Sequence, residues 1–202
     1  MKKNKPHEFL EKPRAAMNDY YDLLESDHET DDIGALIKRD PDFYDPYLYV
    51  ASDLDKSGFH FEARKLEDEA FKRACSRIKD KKGNWPDRLP WAWLENRHII
   101  RVLGVGADNL WKDNKINEAL DIYRKLFHSD FNDNIGARYA IIALRMGLSY
   151  DEYIKQVWPQ SSVPAEQVRK WFKKNAAKFP EELEGWQKYC KDELGLSNKD
   201  LS

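Results

Sequence analysis

Residues 40–70 read DPDFYDPYLYVASDLDKSGFHFEARKLEDEA, and residues 100–133 read IRVLGVGADNLWKDNKINEALDIYRKLFHSDFND. Each runs through an apolar residue, an Ala shortly after it, a Leu three further on, a turn residue, and an Ala that opens a second amphipathic stretch. In the first, Tyr47, Val50, Ala51 and Leu54 share one helical face, Gly58 supplies a positive-φ stop, and Ala63, Leu66 and Ala70 begin the return. In the second, Leu103, Gly106, Ala107 and Leu110 form the outward leg, and Ala119, Ile122, Tyr123, Leu126 and Phe127 the return. Asn114 stands where Gly58 stood, and Asn is the residue that most readily joins Gly in the left-handed region. Helix pairs of this kind bury their apolar faces by stacking on neighbours.

The same periodicity extends both ways. The spacing predicts a helix over His7–Leu24, interrupted near Pro13, and a short one over Asp31–Lys38. Residues 79–90 (KDKKGNWPDRLP) read as a loop, and a long helix is expected from Pro90 onward. Asn134–Met146, Tyr150–Val157, a helix opened by Ser161, Ser162 and Pro164, and a last one from Pro180 to Leu194 complete about ten helices, with no strand. The expected organisation is one helical-repeat domain over 1–202. Capping helices fill 7–39, repeats fill 40–147 with the Trp/Pro loop at 79–90, and C-terminal helices fill 148–197.

Composition narrows the classes. The chain is 41% hydrophobic and 35% charged, with a mean hydropathy of −0.84, as narrow helices exposing most of their surface require. No run approaches the roughly 18–20 apolar residues of a membrane span. The opening MKKNKPHEFLEKP reads as a loose polar leader without the apolar stretch of a secretory signal. Cys75 and Cys190 are too few for a disulfide framework and point to a reducing cytoplasm. A net charge of −2 argues against a dedicated nucleic-acid binder.

These residues resemble the tetratricopeptide repeat family. The match is carried by Tyr47, Val50, Ala51, Leu54, Gly58, Ala63 and Ala70 after Asp40-Pro41, and by Leu103, Gly106, Ala107, Leu110, Ala119 and Tyr123. Ala137, Ala140, Ile141, Leu144 and Gly147 form a partial third copy. Glu67, Leu126 and Phe131 depart from the pattern. The marker alanines Ala63 and Ala119 lie 56 residues apart, where the family period is about 34. The resemblance implies an all-α fold, a right-handed superhelix of antiparallel helix pairs with atypical capping helices. It also implies a non-catalytic module binding a protein or peptide in a concave groove.

Within that frame the groove residues are Arg101, Asp108, Trp111, Arg138, Tyr139 and Arg145, since Arg and aromatic side chains dominate interface energetics. Some members clamp a C-terminal carboxylate with Lys, Asn and Arg. The corresponding positions here are Leu48, Ser52, Val105, Ile135 and Tyr139, which cannot do so. The loop residues Trp85, Trp91 and Trp93 are expected either to anchor a partner or to fold back as a plug. The basic runs 72–82 and 169–174 supply an alternative, an RNA-associated helical repeat protein. Both runs also fit solvated helix faces. His7, His28, His60, His98 and His128 lack metal-ligand spacing, and no nucleophile, cofactor fingerprint or phosphate loop stands out, so no enzyme, cofactor or metal is expected. Gly104-Val105-Gly106 reads as a close approach of helices, and Glu181-Glu182 as a complement to a helix dipole. Self-association through the tryptophan loop or an exposed terminal repeat is a further expectation.

Overall fold

The computed structural model describes residues 6–158 and 164–196. Among them are ten α-helices, two single 3-10 turns and no strand beyond an isolated bridge between Glu8 and Arg88. The chain divides into two compact units, Met1–Gly106 and Ala107–Ser202. The leader residues 1–5 and the expected cap residues Ser161 and Ser162 lie outside the described residues.

The first unit holds α1 (Ala15–Leu24), α2 (Thr30–Arg39), α3 (Asp45–Lys56), α4 (His60–Ile78) and the first turns of α5 (Arg97–Lys112). Its N-terminal core gathers Ala16, Met17 and Tyr20 of α1, Ile33 and Leu36 of α2, and Phe43. Helix α3 packs on α4, and the alanines Ala51, Ala63, Ala70 and Ala74 are all buried. The first helix begins at Ala15, well after the expected start at His7. Residues 7–12 are instead drawn out by partners far along the chain. Phe9 N–H donates to the Arg88 carbonyl at 2.9 Å, and Asp87 N–H donates to the His7 carbonyl at 2.8 Å.

Asn96 explains the second displaced boundary. It is 0% exposed; its Oδ1 accepts the Glu11 N–H at 2.9 Å, and its Nδ2 donates to the Phe9 and Pro90 carbonyls at 3.0 and 3.1 Å. Helix α5 therefore starts only at Arg97, after a 3-10 turn over Leu94–Asn96. Trp93 is part-exposed and donates its Nε1–H to the Glu11 carbonyl at 2.8 Å. Trp91 lies beneath the guanidinium groups of Arg97 and Arg101, 5.3 and 5.7 Å from its ring centre. The loop is thus fastened to the N-terminal segment.

The second unit holds the end of α5, then α6 (Ile116–Ser129), α7 (Ala137–Arg145), α8 (Tyr150–Val157), α9 (Ala165–Ala176), a 3-10 turn (Pro180–Glu182) and α10 (Glu184–Asp192). Helix α6 packs on α7, with Ala119, Tyr123 and Phe127 buried on one and Ala137, Ala140, Ile141 and Leu144 on the other. Helix α7 begins three residues later than its pattern predicts. Gly136 takes a φ of 73°, and the Asp133 carboxylate accepts the N–H groups of Ala137 and Arg138 at 2.6 and 3.1 Å, fixing the start there.

The repeated turns are alike in geometry. Gly58, Asn114 and Gly147 have φ of 87°, 59° and 74°. In each, the next residue's N–H reaches back five residues: Phe59 to Leu54 at 2.8 Å, Lys115 to Leu110 at 2.8 Å and Leu148 to Ala143 at 3.1 Å. This is the bond that closes a helix through a left-handed residue. The same left-handed turn thus closes α3, α5 and α7.

Candidate functional site

Arg138 and Arg145 stand seven residues apart on α7, two turns along one face. In the second unit that face meets α6 on one side and the C-terminal helices on the other. Glu182, 6% exposed, sits where they converge. Arg124 of α6 donates from Nε to Glu182 Oε2 at 2.9 Å and from Nη2 to Oε1. Arg145 Nη1 donates to that same Oε1, while its Nη2 donates to Glu181 at 2.8 Å. Two guanidinium groups thus share one carboxylate, with a second carboxylate at the rim. Burial works to raise the Glu182 pKa, but hydrogen bonds from Arg124 and Arg145 hold it below its ordinary value.

Aromatic rings surround these charges. Arg145 lies over Phe179, 4.9 Å from the ring centre. Arg138 lies over Tyr139, Trp186 and Phe172 at 4.6, 5.5 and 5.7 Å, and donates to Asp133 and to the Tyr139 hydroxyl, both at 3.0 Å. Asp133 is buried, and burial pushes its carboxyl up to about 6 against the pull of Arg138 and two backbone amides. Phe131 rests on Gly185 so closely that a Cβ there would meet its Cζ at 3.1 Å. Its ring also faces Tyr189 at 5.6 Å. The surface therefore combines cationic forks with aromatic walls and is filled by the chain's own Phe179–Tyr189 segment.

Of the six residues expected to share a groove, Arg138, Tyr139 and Arg145 lie on α7, with Arg138 beside Tyr139 and Arg145 on Glu181 and Glu182. Arg124, Phe179, Glu181, Glu182 and Trp186 complete the surface and were not singled out as site residues. The remaining expected residues are engaged elsewhere. Arg101, in the first unit, forks onto the buried Asp45, with Nε donating to Oδ1 at 2.8 Å and Nη2 to Oδ2. Asp108 accepts from the Tyr123 hydroxyl, whose pKa is raised by burial and by that carboxylate. Trp111 is 2% exposed. It stacks on Tyr153 at 5.0 Å and donates its Nε1–H to the Leu148 carbonyl at 3.0 Å, so it is a packing residue rather than a contact on an open groove.

Two other surfaces stand out. On α4, Phe61 is 78% exposed at the head of a cleft of about 540 Å³ lined by Arg64, Lys65, Asp68, Glu69, Lys72 and Arg73. A second cleft of about 520 Å³ lies between Lys112, Asn114 and the start of α8. In the basic runs, Arg73, Arg77 and Lys170 are paired with carboxylates. Arg73 bonds Glu69 at 3.1 Å, Arg77 bonds Glu11 at 2.7 Å and Asp42 at 3.2 Å, and Lys170 bonds Glu166 at 2.8 Å. Among the described residues no three His, Cys, Asp or Glu side chains gather as a metal site, and no helix is long and apolar enough to cross a membrane. Comparison with known proteins finds no family model, no curated protein and no solved structure that matches the chain.

Proposed function

We propose that the chain is a non-catalytic protein-interaction module of the cytoplasm. Its helix pairs would stack as a tetratricopeptide-type superhelix, and its α7 face would hold a segment of a protein partner. The observation that carries the reading is the convergence of Arg124 and Arg145 on a single carboxylate beside aromatic walls. Such forks bind carboxylates bidentately, and Arg, Trp and Tyr are the side chains that dominate protein interfaces. The three like turns at Gly58, Asn114 and Gly147 support the repeat architecture. The nucleic-acid reading is weaker, because Arg73 and Arg77 already serve carboxylates.

Affinity capture from native lysate tests this. The full chain should retain a defined protein, and Arg145→Glu should lose it while keeping helical circular dichroism. Equal recovery by both forms, or no specific recovery by either, overturns the reading.

A further inference from the structure

We infer that Phe179–Tyr189 is an internal ligand of the α6–α7 surface, and that the external partner is a peptide segment pairing adjacent acidic residues with aromatic ones. This rests on the interaction-module reading and names the chemistry of its partner. The cis segment shows what the surface accepts. Glu182 takes the Arg124 fork and one nitrogen of Arg145, Glu181 takes the other nitrogen of Arg145, Phe179 lies beneath Arg145, and Trp186 lies against Arg138. A competitor must supply the same elements: two carboxylates in tandem, one aromatic just before them and another about one helical turn after.

The segment is also lightly held. Cys190 is the buried residue of α10, whereas the equally long α7 buries Ala137, Ala140, Ile141, Ile142, Ala143 and Leu144. Leu194 and Leu196 beyond α10 are exposed. Elements with few buried apolar residues open at a free energy below that of global unfolding. The attachment rests on two carboxylates, a few rings and one buried aliphatic side chain, Leu183, and a partner with the same groups can exchange for it. While the cis segment is seated, the apparent affinity for an outside peptide falls by the fraction of molecules that are open.

The test uses the full chain and a fluorescein-labelled synthetic peptide of residues 177–192, AKFPEELEGWQKYCKD, with its cysteine replaced by serine. The doubly substituted chain Glu181→Gln/Glu182→Gln, whose surface is intact but whose own segment is weakened, should bind this peptide about tenfold or more tighter than the unmodified chain by fluorescence anisotropy. A peptide with both Glu replaced by Gln should not bind, and adding Arg145→Gln to the chain should abolish binding. Equal binding by the two chains overturns the inference, as does absence of binding to a doubly substituted chain that keeps its native circular dichroism.

Hydrogen exchange on the unmodified chain supplies a measurement that needs no variant. Amides of α10 should exchange through an opening well short of that of α6 and α7, whereas α10 amides exchanging only with global unfolding would also overturn it. Loss of the partner in the lysate capture speaks to the module reading. Failure of the peptide to bind, with that capture intact, removes the internal ligand alone.

Discussion

Gly106 of α5 lies under the ring of Phe71 on α4, so close that a Cβ at this position would stand 2.1 Å from Cδ2 and 2.4 Å from Cγ. Both helices belong to the first unit at this point, and the missing side chain lets the ring sit flush on the α5 backbone. Cγ is the fixed end of the ring, so the clash cannot be relieved by a swing of the side-chain tip.

Two effects oppose each other in Gly106→Ala. Helix propensity alone favours Ala by about 1 kcal/mol. Overpacking against Phe71 costs about 1–3 kcal/mol, and with the overlap this deep it should win. Urea unfolding should show a net loss of stability. Combining the change with Phe71→Ala should recover part of it, giving a favourable coupling between the two positions. A stabilised Gly106→Ala protein would show that the ring can move away.

Ala119 is fully buried on α6, the helix that packs on α7. Ala119→Leu adds three carbons where there is no room, an overpacking cost of about 1–3 kcal/mol. For a chain near 200 residues that corresponds to a fall of about 2–12 °C in Tm. An unchanged melting curve would mean that Ala119 is not at a helix contact.

The features that were legible in the sequence are local. Gly58, Asn114 and Gly147 were readable because a left-handed residue and the apolar steps around it lie within one short stretch. The small residues Ala51, Ala63 and Ala107 were readable because helical spacing puts them on the buried side. Arg138 and Arg145 were readable as residues of one face, but their occupant was not. Glu182 lies 37 residues from Arg145 and 58 from Arg124, and nothing near it in the chain distinguishes a buried ligand from a dipole complement. Trp111 was misplaced for a similar reason. Its helix angle puts it away from the Ala/Leu stripe, on the face expected to line the groove, and only α8 brings Tyr150 and Tyr153 to cover it. The start of α1 was missed because Asn96, 85 residues from Glu11, takes over the backbone groups that a helix would have used.

His98 gives the first unit a pH dependence of definite sign. Its Nδ1 accepts the Tyr44 N–H at 3.1 Å, and burial pushes the imidazole down to about 3 from 6.5. Folded His98 stays neutral through mild acid, while the unfolded chain takes up a proton near 6.5. The stability it contributes is therefore fully present above about 6.5 and drains away as pH falls toward 3, at about 1.4 kcal/mol per pH unit for one proton. Asp133 acts oppositely in the second unit. Its carboxyl, pushed up to about 6 from 3.8, binds its proton in the folded state first and adds stability as pH falls between those values. His98→Asn should be less stable at pH 7 through lost packing. Its stability should also decline less steeply than the parent's between pH 6 and 4, by about one proton's slope. Parallel curves for the two proteins would place the His98 proton uptake outside this range.

Asn96 poses a sharper choice, because its two substitutes should rank against intuition. Asn96→Asp keeps an acceptor for the Glu11 N–H but loses both donors, leaving the Phe9 and Pro90 carbonyls facing a carboxylate in a site with no exposure. Asn96→Ala loses all three bonds but introduces no charge. An unsatisfied buried polar group costs about 1–3 kcal/mol and an uncompensated charge more, so the Asp protein should be the less stable at pH 7. Lowering the pH should narrow the gap. A buried Asp has a raised pKa, and once protonated it can donate to one of the two carbonyls. Urea unfolding at pH 7 and pH 5 measures the ranking, and limited proteolysis within residues 7–12 reports whether the N-terminal segment has come loose. If the Asp protein matches the parent at pH 7, the two donated bonds are not what fastens the tryptophan loop to that segment.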